Sequence, residues 1–199
     1  MPNLAWLRII GFSLPVDQIL EEAEAVREYY VPHRDYHGTS QGWHSVCLHG
    51  LASDKTHSHV DYGYPDHKTA PYSWTDIAKR CPITTDFFQN QFGYRRYWRV
   101  RFMLLEKNGW IAPHKDSKIS HLWAINISLN NPQGCNFYMD KHGIIPFDPG
   151  AIFMINTFHE HWLENKSDVD RYHIIVHGER DHKVWNPIIE TSYAAYKND

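Results

Sequence analysis

The chain is poor in cysteine, in net charge and in long apolar runs, and each shortage closes off a class of protein. Its three cysteines, Cys47, Cys81 and Cys135, are an odd set with no C-x-x-C pair. A disulfide framework and a thiolate zinc site are therefore not indicated, and a reducing, cytoplasmic setting is expected. Twenty Lys and Arg against 23 Asp and Glu leave a formal charge of −3, with no block of like charge. That gives no electrostatic footprint for nucleic acid or an anionic membrane. No apolar run approaches the ~18 residues that a membrane span requires. The opening MPNLAWLRIIGFSLPVDQ lacks the basic start and small-residue cleavage site of a signal peptide. There is no internal repeat, no low-complexity tract, no phosphate-binding glycine loop and no G-x-S-x-G.

What is abundant is aromatic and imidazole: eight Trp, twelve Tyr and fifteen His in 199 residues. Aromatic richness by itself means core. The length fits one domain with a sizeable interior. We divide it into helical support and lid (1–95), a β barrel (96–178) and a C-terminal extension (179–199). LAWLRII reads as a short strand. SLPVDQILEEAEAVREYY reads as an amphipathic helix, with Ser13 as its cap and Pro15 in its first turn. Residues 33–70 are polar around one apolar run, WHSVCLHG, and are expected to be a long functional or mobile segment. SWTDIAKRC and TTDFFQNQF read as short helices, Ser73 and Asp76 forming a capping arrangement.

From residue 96 the pattern becomes short strands separated by turn residues: 97–105, 119–129, 135–140, 151–156, 159–164 and 170–177. Regular short strands argue for a sandwich or barrel. Their alternation separates an oily face from a functional one. In HLWAINISL, His121, Trp123, Ile125, Ile127 and Leu129 share the bulky face, while Leu122, Ala124, Asn126 and Ser128 share the small, partly polar one. In RYHIIVH, Arg171, His173, Ile175 and His177 oppose Tyr172, Ile174 and Val176. In WRVRFMLL, Arg99, Arg101 and Met103 oppose Trp98, Val100, Phe102 and Leu104. A small barrel with a polar mouth accounts for all three.

A metal site is the sharpest chemical possibility. His114 and Asp116, two apart in WIAPHKDSK, project to one side of an extended chain. Iron(II) oxygenases use two histidines and one carboxylate, leaving positions open for oxygen and a co-substrate. A third ligand would come from His159 or His161 in NTFHEHWLEN, between which alternation does not choose. Arg171 follows ten residues after His161, and an arginine fork suits a carboxylate. A solvated surface role competes for each residue taken singly. His57 and His59 in KTHSHVDYG read as a solvated loop pair, and Cys135 as packed within its strand.

Residues 96–178, through RVRFMLLEKNGWIAPHKD, NPQGCNFYM and FDPGAIFMINTFHEHWLENKSDVDRYHI, resemble the aspartyl/asparaginyl β-hydroxylase-like branch of the 2-oxoglutarate and iron(II)-dependent oxygenases. The most specific string is Gly150, His161 eleven residues on, and Arg171 ten further. The resemblance implies a double-stranded β-helix (cupin-like jelly roll), mainly β with flanking helices. It implies iron held by His114, Asp116 and His161, and 2-oxoglutarate held by Arg171 at its distal carboxylate, with O2 as oxidant. Some members of the branch carry Gly where this chain has Asp116. The family's proximal His and Arg align with Asn126 and Ala124, leaving Asn126 as an amide donor to the co-substrate. Arg101 and His173 are the candidate substrate contacts, for a small amino-acid-like molecule or a peptide side chain. The competing readings are a non-enzymatic cupin that binds a small acid or metal, and a metal-dependent isomerase or hydrolase. A zinc hydrolase has no use for an arginine ten residues past its last ligand.

Overall fold

The computed structural model describes residues 4–34, 38–116, 118, 122 and 124–198. The first strand, β1 (Trp6–Ile9), is followed by helix α1 (Val16–Ala25), which buries Ile19 and Ala23, one turn apart. Pro15, not Ser13, stands at its start, and no side chain caps it. After β2 (Val31–Pro32) comes β3 (Ser40–Gly50), an eleven-residue strand running through the middle of the segment expected to be a polar loop. WHSVCLHG is thus not a brief apolar break; Val46 and Leu48 enter the main core while Cys47 between them faces the other way. β4 (Ser73–Trp74) leads to α2 (Asp76–Arg80), where Thr75 rather than Ser73 is the cap, its hydroxyl accepting from the Ile77 N–H at 3.2 Å. α3 (Pro82–Asp86) runs into a wider turn over Phe87–Gln91.

The spine of the molecule is β5 (Tyr94–His114), 21 residues long. It is followed by β6 (Ala124–Ser128), β7 (Cys135–Met139), β8 (Gly143–Ile144), β9 (Ile152–Ile155), β10 (His161–Asn165) and β11 (Arg171–Arg180). Helix α4 (His182–Tyr196) closes the chain. The described strands form one antiparallel sheet in the order β1-β9-β6-β11-β5-β10-β7-β8, with β3 joined to β5 and carrying β2 and β4. The first part of β5 pairs with β11 (Arg171 opposite Leu105) and its last part with β10 (His161 opposite His114), so one strand serves two stretches of the curled sheet.

Alternation sorts the two faces as expected. Val100, Phe102, Leu104, Ile125, Ile127, Tyr172, Ile174 and Val176 lie with the helices in the main core. Leu122, expected on the opposite face, also joins that core; His121 and Trp123 lie outside the described residues. Two glycines are required by position. Gly178 sits at an irregularity of the β5–β11 ladder, and a Cβ there would approach the Arg96 carbonyl oxygen to 2.4 Å. Gly150 has φ +81°, a region that L side chains rarely adopt. The C-terminal extension is structural: Trp185 of α4 is fully buried among Phe12, Phe92 and Tyr94, and its indole N–H donates to the Phe92 carbonyl at 2.8 Å.

Candidate metal centre and its cavity

The inner face of the sheet encloses a cavity of about 670 Å³. At its mouth, His114 ends β5, His161 begins β10 and the two are ladder partners, which brings their rings to 4.3 Å between centroids. Asp116 follows His114 past the strand end, its N–H donating to the Thr157 carbonyl at 3.1 Å. One ligand atom from each of the three lies within 4.8 Å of the others.

The hydrogen bonds behind the rings fix which nitrogen faces forward. His114 Nδ1 is 2.8 Å from the Ala112 carbonyl and His161 Nδ1 is 3.0 Å from the His159 carbonyl. A carbonyl only accepts, so each Nδ1 carries the proton and each Nε2 is left with a bare lone pair. Those two Nε2 atoms face the Asp116 carboxylate at 3.6 and 3.8 Å, too long for hydrogen bonds. An ion about 2 Å from each atom fits that gap, and backbone carbonyls behind ligating histidines are the usual support. Phe137 stacks on the His161 ring at 5.5 Å. Burial lowers the His161 pKa, partly offset by Asp116. At Asp116 burial pushes the carboxyl up, but Arg34 and the two histidines outweigh it and hold it below the usual carboxylate range. Arg34 Nη1 donates to Asp116 Oδ1 at 2.6 Å. His159 lies apart from this cluster, its ring edge-on to His142 at 4.5 Å.

Arg171, 1% exposed, stands on the inner face of β11 two residues before His173, which lines the cavity. Its Nη1 donates to His173 Nδ1 at 3.0 Å, its Nε lies 3.4 Å from Asn131 Oδ1, and its guanidinium covers the Phe147 ring at 5.1 Å. Nη2 is buried with no partner, and no acid pairs with this cation among the described residues. Arg171 forms no ion pair with the neighbouring Glu160 or Asp170 among the described residues; Asp170 is taken by Arg27. Asn126 lines the cavity as the alternation required, opposite Ile175 of β11. Arg101 lines it too, 4% exposed, its Nη1 donating to the Thr56 carbonyl at 2.7 Å.

Several lining residues escaped the sequence reading. His57, expected to be solvated, stacks on buried His33 at 4.8 Å and borders the cavity, because β3 carries the flanking loops across its opening. Arg34, Arg99 and His177 also line it. Arg99 and His177 share the inner faces already recognised on β5 and β11, and that alternation was the signal that could have found them. His33 and Arg34 had no such signal.

The family model for aspartyl/asparaginyl β-hydroxylase matches residues 15–181. No curated protein matches the sequence. Among solved structures, a prolyl hydroxylase from Trichoplax adhaerens, in complex with a hypoxia-inducible-factor peptide fragment, superposes with a TM-score of 0.52 at 10% identity, covering 91% of this chain and 86% of that one. A non-heme α-ketoglutarate-dependent epimerase, SnoN of nogalamycin biosynthesis, gives 0.50 at 13% identity, covering 90% and 80%. The likeness is one of fold, the jelly roll that the sequence resemblance implied.

Proposed function

Because the chain belongs to the aspartyl/asparaginyl β-hydroxylase family, and is thereby a 2-oxoglutarate-dependent oxygenase using iron(II) and O2, we propose that it hydroxylates an amino-acid-like small molecule or a peptide side chain at this cavity. His114, Asp116 and His161 hold the iron, Arg171 and Asn126 hold 2-oxoglutarate, and Arg101 and His173 face the substrate. The observation that carries the reading is the pair of bare Nε2 lone pairs converging with one carboxylate within 4.8 Å.

The residues divide the work by position. Two histidines and a single carboxylate leave coordination positions open. Iron(II) with 2-oxoglutarate and O2 supplies the oxidising power to hydroxylate an unactivated C–H, with succinate and CO2 as co-products. His173, accepting from Arg171 Nη1, fixes the guanidinium so that its unpartnered Nη2 is left for a carboxylate. Phe137, Leu163 and Ile111 give the wall apolar stretches that keep water from the oxidant. A cavity of about 670 Å³ has room for a second molecule beside a five-carbon diacid. The three cysteines are free and buried, in keeping with a reducing, cytoplasmic setting. No helix among the described residues is long and apolar enough to cross a membrane.

The reading is tested by following succinate from 2-oxoglutarate with iron(II), first without a prime substrate and then across a library of amino acids and peptides. Stimulation by a library member, lost in His161→Ala, supports it. A non-enzymatic binding protein produces no succinate under any condition.

A further inference from the structure

The iron and co-substrate assignments leave two cations in the cavity wall without an acid to pair with among the described residues. Arg99 and Arg101 are separated by Val100 on β5, and the alternation turns both toward the cavity and Val100 into the main core. Neither forms an ion pair with an acid among the described residues. Both lean on one acceptor, the Thr56 carbonyl, at 2.7 Å from Arg101 Nη1 and 3.5 Å from Arg99 Nη1. Arg101 Nε is buried with no partner at all. Across the ladder His177 stands opposite Arg99, and its Nδ1 is likewise buried and unpartnered. Two adjacent guanidiniums, Arg101 buried and Arg99 half-buried, leaning on one carbonyl are unfavourable unless an anion joins them.

These cations are also remote from the proposed clamp on the co-substrate. Arg101 pairs with Ile175, four residues along β11 from Arg171, a separation of about 13 Å along the strand. Arg99 lies a further step away. The single acid lining the cavity among the described residues is Asp116, which belongs to the metal cluster and is ion-paired with Arg34.

We infer that Arg99 and Arg101 form a second anion site that receives the prime substrate, and that this substrate carries a dianionic end, a phosphate monoester or a paired dicarboxylate, rather than the zwitterion of a free amino acid. The inference rests on the oxygenase reading of the same cavity and narrows its substrate class. A single carboxylate would neutralise one of two adjacent cations, whereas a dianion neutralises both. A free α-ammonium group would find no acid to meet it. His33 and His177 are held neutral by burial and by these same arginines, so neither adds charge to the site.

The test uses the full chain loaded with manganese(II) in place of iron. A first calorimetric titration with 2-oxoglutarate checks the parent reading; if it does not bind, both readings fall. With 2-oxoglutarate saturating, glycerol 3-phosphate, methylmalonate and alanine are then titrated, and thermal unfolding is followed in parallel. At least one dianion should bind and raise the unfolding midpoint, and alanine should do neither. The dianion that binds more tightly identifies the phosphate or dicarboxylate source. Arg99→Gln and Arg101→Gln should each weaken that binding about tenfold or more, the scale of losing one partner of a buried charged pair. The Arg99→Lys, Arg101→Lys double variant, which keeps the charge without the fork, should recover part of it. Alanine binding as tightly as the dianions, failure of both dianions, or unchanged binding in the Arg99→Gln, Arg101→Gln double variant overturns this inference while leaving the oxygenase reading in place.

Discussion

His161 lies directly across the β5–β10 ladder from His114, and each ring gives its Nδ1 proton to a carbonyl two residues earlier in the chain. The same local arrangement on two antiparallel strands leaves two Nε2 lone pairs converging on Asp116. Tautomer and ring direction are thus set by backbone before any ion arrives. Replacing either histidine by alanine should abolish stoichiometric binding of manganese(II) or iron(II), read by calorimetry, at little cost to the fold. Asp116→Gly should retain weaker binding, because the two imidazoles remain. Full metal affinity in His161→Ala would remove that histidine from the site.

Arg171 offers a second measurable consequence. A buried charged pair loses roughly 2–5 kcal/mol when one partner is truncated, so Arg171→Ala should raise the Michaelis constant for 2-oxoglutarate about 30-fold or more. Arg171→Lys should recover only part, since an ammonium cannot form the fork. An unchanged constant in a folded, metal-loaded Arg171→Ala protein would take the clamp away from this residue.

The histidines buried away from the metal predict how stability follows pH. Burial lowers His49 from 6.5 to about 4, and burial beside Arg99 and Arg101 takes His177 well below its ordinary value. A depressed histidine binds its proton more readily in the unfolded chain. Stability is therefore complete above the unfolded pKa and falls as pH drops from about 6.5 toward 4. His49 alone contributes up to about 3 kcal/mol to that loss. Urea midpoints measured from pH 7.5 to 4.5 should decline through this window, and His49→Gln should flatten the decline. A midpoint independent of pH would refute the assignment.

Two further substitutions report on the frame. Trp185→Ala removes a fully buried indole and its hydrogen bond to Phe92, and should cost about 3–5 kcal/mol in a denaturant titration. Gly150→Ala forces a side chain to φ +81° with its Cβ 2.9 Å from Val16 Cγ2, and should cost more than about 1 kcal/mol. Neither should alter the stoichiometry of metal binding.

The barrel was legible because its strands obey period two over an interior face unlike the exterior one. Arg171, His173, Ile175 and His177 could be assigned to one side of β11 with no knowledge of their neighbours. The cap of α1 and the length of β3 were not legible in this way. A capping side chain is chosen by loop geometry, and Pro15 displaced Ser13. β3 reads as polar because the side turned away from the main core carries Ser45 and Cys47 and its ends carry Ser40, Gln41 and His49, while only Val46 and Leu48 feed that core. The metal triad was visible as spacing plus resemblance. The choice of His161 over His159 depends on which residue stands opposite His114, and pairing between distant strands leaves no trace in a single sequence.

The curled sheet keeps its two faces on separate duties. The aromatic and aliphatic core under the helices holds the fold, while Arg99, Arg101, His173 and His177 stand on alternate positions of the same strands and contribute little to that packing. An exchange at one of these inner positions alters the charge and shape of the cavity wall without reopening the core behind it. Descendants of this chain could therefore acquire new substrate preferences by single steps along β5 and β11, each step drawing on charge and shape rather than on folding stability.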